Sequence, residues 1–106
     1  MKKGYVYLIN AVGTDKYKIG VTCKNNVNER LKELQTGNGE ELELINYFYT
    51  KYPYKIEKNL HLLYSNKRKK GEWFEFLDSE PNSFLTECNK MEEIFINLKK
   101  LGNPFV

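Results

Sequence analysis

Two short stretches near the amino terminus alternate in the way that β-strands do. Residues 5–10, YVYLIN, and residues 17–22, YKIGVT, are rich in aromatic and β-branched side chains and are separated by a segment that contains Gly and Asp. This pattern predicts a β-hairpin. A turn centred on residues 12 and 13 would pair Tyr7 with Lys18, and cross-strand partners point to the same face. The side chains predicted on that face are Tyr5, Tyr7, Ile9, Lys18, Gly20 and Thr22.

Further along the chain, apolar positions recur at helical spacing. A helix is predicted over residues 27–36, with Asn26 as its N-cap and Arg30 at the edge of its apolar stripe. Residues 42–50 are typical of a third strand. A second helix is predicted to begin at Pro53, because proline is well tolerated in a first helical turn.

The last third of the chain predicts a loop, a short strand and a long helix. Residues 66–71, NKRKKG, are strongly basic, and the EWFEF stretch that follows predicts a short strand whose Trp73 and Phe74 anchor the core. Apolar residues then recur at heptad-like spacing after a helix-start signal at Asp78. They predict an amphipathic C-terminal helix over about residues 81–101.

These elements predict one α/β (α+β) domain over residues 1–106, with its core in residues 5–77. We expect a small, mainly antiparallel sheet of about three to four strands, flanked by helices. The length of 106 residues agrees with one domain, and 41% hydrophobic and 29% charged residues indicate a folded chain. The net charge of +3 permits a nucleic-acid partner without requiring one.

Cysteine and histidine content narrows the class of protein. Cys23 and Cys88 form no C-x-x-C pair and the chain has one histidine, so a structural zinc site is excluded. The absence of a disulfide framework indicates a reducing compartment. The apolar run near the amino terminus is too short for a signal sequence or a membrane span. We therefore expect a soluble cytoplasmic protein that does not contact a membrane.

Five polar residues fall at the edges of the predicted core: Tyr7, Lys18, Arg30, Glu57 and His61. A charged side chain at such an edge has to be paired, reach water or serve a site. This set would suit phosphodiester hydrolysis, because Glu57 could bind a divalent cation and Arg30 could stabilise charge on the phosphate. A tyrosine beside a cation, a lysine or a metal-bound hydroxide could activate the water.

Five ordered motifs resemble those of the GIY-YIG nuclease superfamily. They are YVY (residues 5–7), KIG (residues 18–20), ERLKELQTGN, IEKNLH and GEWFEF, and they are most similar to the phage- and virus-rich subgroup with KIG in place of YIG. The chain departs from the pattern at Tyr5, where the family has Gly, and at Lys18, where it has Tyr. The resemblance implies a divalent-metal-dependent DNA endonuclease that uses Mg²⁺ or Mn²⁺ and acts on DNA in preference to RNA.

The resemblance also implies roles for individual residues. Carried over by position, Tyr7 and Arg30 are catalytic and Glu57 binds the metal. Lys18 would face a phosphate, and His61, one helical turn beyond Glu57, would act as an acid, a base or a phosphate ligand. The residues expected to contact the nucleic-acid backbone form the basic segment Lys67, Arg68, Lys69 and Lys70.

Each of these residues also has a structural interpretation. Tyr7 could be an ordinary sheet aromatic, and Lys18 could protect an edge strand. Arg30 and Glu57 could form an ion pair between helices. His61 could bond a backbone carbonyl, and the basic segment could be a solvated turn. The alternative function is therefore a catalytically impaired GIY-YIG-like module that binds nucleic acid or a protein. For either function we expect a monomer or a weak homodimer.

Overall fold

The computed structural model describes residues 3–77 and 79–102 of the chain. Two 3-10 helices, Ser65–Lys67 and Glu80–Ser83, lie in the second half of these residues. The strands and α-helices of the described residues are, in chain order, β1 (Gly4–Ala11), β2 (Lys16–Thr22), α1 (Val27–Thr36), β3 (Leu42–Thr50), α2 (Pro53–Leu63), β4 (Arg68–Lys70), β5 (Trp73–Glu75) and α3 (Phe84–Lys100).

The strands form one antiparallel sheet in the order β3-β1-β2-β5-β4, which places the amino-terminal hairpin near its centre. Helix α1 packs on one face of the sheet, and α2 and α3 pack on the other. The side chains of β1 divide accordingly. Val6 and Leu8 join the core under α2 and α3, whereas Tyr7 and Ile9 join the cluster under α1. The predicted α+β class is confirmed, with five strands where about three to four were expected.

The central hairpin confirms the predicted faces and corrects the predicted register. Tyr7 pairs with Gly20, and Lys18 pairs with Ile9, so the predicted pairing of Tyr7 with Lys18 was wrong. The shift is an even number of residues. Because side chains alternate along a strand, Lys18 and Gly20 still lie on the face of Tyr7.

The register is set by a turn whose centre lies later in the chain than predicted. The side-chain amide of Asn10 donates hydrogen bonds to the carbonyls of Thr14 (3.0 Å) and Lys16 (2.9 Å). Within the loop, the Thr14 amide donates to the Ala11 carbonyl at 3.0 Å, and Gly13 has a φ of 80°, which glycine adopts without a steric penalty. The Asn10 contacts close the loop on itself, and its centre lies one residue later than expected.

The predicted loop over residues 66–71 was also wrong in part. Arg68 lies opposite Phe74 and Lys70 lies opposite Trp73, so β4 extends the sheet at this edge. The short strand predicted from EWFEF is confirmed as β5. Phe74 is fully buried, as expected of a core anchor, whereas Trp73 is only half-buried and packs on the α1 side.

The helices lie close to their predicted positions. The Asn26 side chain caps α1 by accepting a hydrogen bond from the Asn28 amide at 2.8 Å. Helix α3 begins at Phe84 rather than near residue 81, because Glu80–Ser83 forms a 3-10 turn first. The start signal predicted at Asp78 lies outside the described residues. Among the described residues, no helix combines the length and apolar character that crossing a bilayer requires.

Candidate active site

Tyr7 lies at the centre of the candidate site and is 1% exposed. Its ring lies across Gly20 on the neighbouring strand. A Cβ atom added at Gly20 would overlap the ring and the hydroxyl of Tyr7. Position 20 therefore requires glycine for packing against the tyrosine, which is a physical reason for the glycine of the KIG tripeptide.

Arg30 extends from α1 to the hydroxyl of Tyr7. The apolar side chain of Val27 holds α1 on the sheet, and Arg30 follows it by three positions, so the guanidinium faces β1. The guanidinium hydrogen-bonds Tyr7, and its Nη1 atom lies 3.2 Å from Glu33 Oε1. Among the described residues the ion-pair partner of Arg30 is thus Glu33, and the predicted alternative of an ion pair with Glu57 is not formed.

The environment of Tyr7 favours the protonated hydroxyl. Burial raises the pKa of Tyr7, and the hydrogen bond and charge of Arg30 act in the opposite direction without cancelling it. The negative charges of Glu72 and Glu57 raise this pKa further. A tyrosine base at neutral pH would need a lowered pKa, so the geometry favours a hydroxyl that holds the guanidinium in place.

Lys18 lies on the same face and has a defined partner. Its Nζ atom forms an ion pair with Glu72 Oε2 at 2.9 Å and lies 5.6 Å from the centre of the Trp73 ring. The Lys18 side chain is only 14% exposed, because β5 pairs with β2 at this position. Lys18 is therefore not a solvated edge-strand lysine, and the negative charge that it faces in this structure is Glu72.

Glu57 reaches this cluster from α2 and hydrogen-bonds Glu72. Burial raises the pKa of Glu57 to about 7, the charge and hydrogen bond of Glu72 contribute in the same direction, and Lys18 opposes them. Two carboxylates in contact resist double ionisation because like charges repel. The site therefore contains a carboxylate pair, Glu57 and Glu72, whose two negative charges are not balanced by Lys18 alone when both groups are ionised.

Glu72 is the site residue that sequence reasoning missed. It precedes β5, and its backbone carbonyl accepts a hydrogen bond from the Ile19 amide at 3.2 Å, which places it beside the KIG strand. The available signal was its position at the start of the GEWFEF motif. Nothing in the sequence shows that this motif pairs with β2, so the contact of Glu72 with Lys18 could not be inferred.

His61 is placed by a backbone contact. Its Nε2 atom lies 2.9 Å from the carbonyl oxygen of Ile19, and its ring meets Phe74 edge-on with centroids 5.0 Å apart. This is the structural alternative that the sequence left open for His61. The contact ties α2 to β2, and Glu57, one helical turn earlier on α2, is thereby directed at Glu72.

The basic segment lies at the far edge of the sheet, in and before β4. Lys67 forms an ion pair with Glu80 at 2.9 Å, and Lys69 forms one with Glu75 at 3.0 Å. Lys70 is exposed. The structure brings Tyr7, Lys18, Arg30 and Glu57 together with Glu72, whereas the contacts of the basic segment run to other carboxylates.

The donor chemistry of the carboxylate pair fits a hard divalent cation. Within residues 3–77 and 79–102, no group of three or more His, Cys, Asp or Glu side chains is arranged to hold a metal ion. Mg²⁺ does not need such a group, because it is commonly bound by one or two carboxylates together with water and substrate phosphate. Glu57 and Glu72 offer that number of oxygen ligands.

Fold and cluster together define a nuclease-like domain related to the GIY-YIG superfamily. The chain belongs to the T5orf172 domain family, whose family model matches residues 4–93 and so spans the whole cluster. This family is nuclease-like and associated with DNA binding in general. Neither the curated proteins nor the solved structures that were compared with the chain include a match.

Proposed function

We propose that this protein is a divalent-metal-dependent endonuclease that hydrolyses phosphodiester bonds in DNA. The observation that supports the proposal is the convergence of Tyr7, Lys18, Arg30 and Glu57, which come from β1, β2, α1 and α2. We also assign the chain to the phage- and virus-rich subgroup of the superfamily, on the basis of its KIG tripeptide.

Arg30 is the group that would meet the scissile phosphate. Its guanidinium is partly exposed and presents several N–H donors in a plane, which suits two phosphate oxygens. Charge builds up on these oxygens in the transition state, so a donor already fixed in place stabilises that state more than the substrate. Tyr7 acts as a positioning residue here, because its hydroxyl fixes the guanidinium.

Glu57 would hold Mg²⁺ or Mn²⁺, with Glu72 as a second oxygen donor. A cation bound there supplies electrophilic stabilisation of the phosphate and lowers the pKa of bound water. Lys18 neutralises Glu72 in the structure and keeps positive charge beside the pair. His61 anchors α2 on β2 and so positions Glu57, and its predicted acid, base or phosphate-binding role remains a prediction.

The proposal predicts cleavage that depends on a metal and on two residues. Purified protein should nick or cut plasmid and branched DNA in Mg²⁺ or Mn²⁺, and EDTA should stop the reaction. Glu57→Ala and Arg30→Ala should each lower the cleavage rate at least about a hundredfold, because each removes charge stabilisation from the transition state. Far-UV circular dichroism and urea denaturation should show that both variants fold.

Matched controls come from exposed residues of the same charge. Lys32→Ala changes an exposed cation of α1, and Glu93→Ala changes an exposed carboxylate of α3. Both should cleave at the wild-type rate. A Glu57→Ala protein that cleaves as fast as wild type would show that the metal role is wrong.

A second function is favoured by the burial of Tyr7 and the pairing of Lys18. Tyr7 is 1% exposed and Lys18 is held by Glu72, so neither presents a free group for proton transfer. A catalytically impaired module would bind nucleic acid in a salt-sensitive way without cleavage in any divalent metal. Charge reversal in the basic segment would then weaken binding, and binding without salt dependence would favour a protein partner.

A further inference from the structure

Three tyrosines beside the site form an aromatic surface, which we call the tyrosine platform; two of them, Tyr47 and Tyr49, are exposed, and Tyr5 is half-buried. Tyr5, Tyr47 and Tyr49 lie on the same face as Tyr7, because Tyr49 is opposite Tyr5 and Tyr47 is opposite Tyr7. The ring centroids of Tyr5 and Tyr47 are 5.6 Å apart, and those of Tyr5 and Tyr49 are 4.9 Å apart. The platform is therefore a continuous aromatic surface that begins directly next to Tyr7.

Helix α1 leaves Tyr47 and Tyr49 uncovered, although Tyr5 packs against the cluster under this helix. Its apolar side chains pack on Leu42 and Leu44 of β3, at the other end of that strand. Tyr47 is 49% exposed and Tyr49 is 54% exposed. Cross-strand aromatic contacts stabilise a sheet, but that role does not require rings to be half exposed. Adjacent exposed aromatic residues typically mark a binding surface.

A positively charged groove adjoins the platform at Tyr49. The groove has a volume of about 560 Å³ and runs between β3 and α3. The Nζ atom of Lys3 lies 5.9 Å from the centre of the Tyr49 ring. The charged residues that line the groove are Lys3, Lys51, Glu92, Lys99 and Lys100.

The charge of this groove is not neutralised from within. In the part of the chain that the structure describes, none of its four lysines is joined to a carboxylate by an ion pair. The basic segment differs, since two of its lysines already have carboxylate partners, Glu80 and Glu75. The groove is thus the better candidate for contact with an anionic chain.

We propose that the tyrosine platform and this groove bind an unpaired strand of nucleic acid, with bases stacked on the rings and phosphates along the lysines. Aromatic surfaces beside basic grooves bind single strands in this way, because every base offers a flat face. Bases in a duplex are stacked on one another and do not offer that face. The inference rests on the proposed function and specifies its substrate: DNA with a single-stranded segment next to the cleavage point.

Binding in EDTA tests this inference separately from cleavage. Fluorescence anisotropy with a labelled oligodeoxythymidine and with a duplex of equal length should show tighter binding of the single strand. Tyr47→Leu and Tyr49→Leu should each weaken single-strand binding about tenfold, because each removes a stacking face. Tyr49→Phe should keep near wild-type affinity, since it retains the ring.

Two further variants separate stacking from charge and from general surface change. Lys3→Glu should weaken binding and reduce the salt dependence of the affinity. Ile94→Ala alters a residue of α3 that, like Tyr49, is 54% exposed, and it should bind as wild type does.

The failures of the two proposals are distinguishable. If Tyr47→Leu and Tyr49→Leu bind the single strand as tightly as wild type, the platform inference is overturned even where cleavage depends on Glu57. Equal or tighter binding of the duplex would also overturn it, and so would binding of neither form, which would favour a protein partner. If single-strand binding depends on the tyrosines while no metal supports cleavage, only the endonuclease proposal fails.

Discussion

Neighbouring residues of the central hairpin belong to two very different surfaces. Towards α2 and α3, Val6, Leu8 and Ile19 are fully buried among apolar side chains. Towards α1, the adjacent residues Tyr7 and Lys18 have polar ends that meet charged partners. The two surfaces share one backbone and differ only in which alternate residues they use.

Because side chains alternate between the two faces of a strand, residues that stabilise the fold and residues of the candidate site can be neighbours in the sequence. The apolar face is stabilised by burial, which is not directional, so its atoms need no specific hydrogen-bond partners. The polar face is stable only where each buried polar group is paired, because an unpaired group costs free energy. Within the described residues, every buried side-chain nitrogen or oxygen has a hydrogen-bond partner. The polar face is therefore the more constrained of the two.

Substitutions at the adjacent residues 7 and 8 should have the largest and most different effects on the two faces. Leu8→Ala should lower the free energy of unfolding by about 2–5 kcal/mol, because it leaves a cavity in the core. The cleavage rate of the folded variant should stay within a few-fold of wild type. Tyr7→Phe should do the reverse, with a cleavage rate about tenfold to a hundredfold lower, because Arg30 loses its positioning contact.

Urea denaturation and cleavage rates on the same preparations check both variants, at a temperature where Leu8→Ala is folded. Tyr7→Phe should change the free energy of unfolding by only about 1 kcal/mol, the usual contribution of a single hydrogen bond. A folded Leu8→Ala protein without activity would show that the two faces are coupled.

Gly20→Ala tests the polar face alone, because it adds a single methyl group on that face. The new Cβ would overlap Tyr7, so the ring has to move. We expect a loss of about 1–3 kcal/mol of unfolding free energy, as for other overpacked sites, together with lower cleavage activity.

Gly37→Ala is the matched control for that substitution. A Cβ added at Gly37 meets no atom within 4 Å, and its φ of −93° suits any residue. It should leave both stability and activity close to wild type. If Gly20→Ala is equally neutral, Tyr7 does not depend on the close approach to Gly20.

Local patterns were enough to predict most elements and four of the residues that the structure brings together. Alternation located both strands of the hairpin, and helical spacing placed Arg30 at the edge of the buried face of α1. The predicted faces survived a wrong register because the error was two residues, which returns each side chain to the same face. Short-range periodicity thus carries information about faces even where it does not specify partners.

The hairpin register, the place of Glu72 and the tyrosine platform could not be predicted, because they depend on contacts between residues that are distant in the sequence. The register follows from hydrogen bonds of the Asn10 side chain, which no pattern of apolar positions reveals. Glu72 enters the site only because β5 pairs with β2 beside Lys18. The tyrosine platform likewise requires the pairing of β1 with β3, and the exposure of Tyr47 and Tyr49 requires that α1 pack on the other end of β3.

The pH dependence of the unfolding free energy tests the contact between Glu57 and Glu72, which connects the two faces. Glu57 belongs to a helix of the apolar face, and its contact with Glu72 connects it to the polar one. The pKa of Glu57 is about 7 in the folded protein, against an ordinary value of 4.5 that applies to the unfolded chain, so the folded state binds the proton more tightly. The stability from this group is fully present below the unfolded pKa and is lost as the pH rises through 7.

Two substitutions should move this loss of stability in opposite directions. Glu72→Gln removes a neighbouring charge that raises the pKa of Glu57, so the decline should shift to lower pH. Lys18→Met removes the charge that lowers it, so the decline should shift to higher pH. Urea denaturation in EDTA over about pH 4 to 9 measures both shifts, with Glu57→Gln as the reference that lacks the decline. If both substitutions shift the decline in the same direction, Glu57 does not titrate against these two residues, and the carboxylate pair is not the junction between the faces.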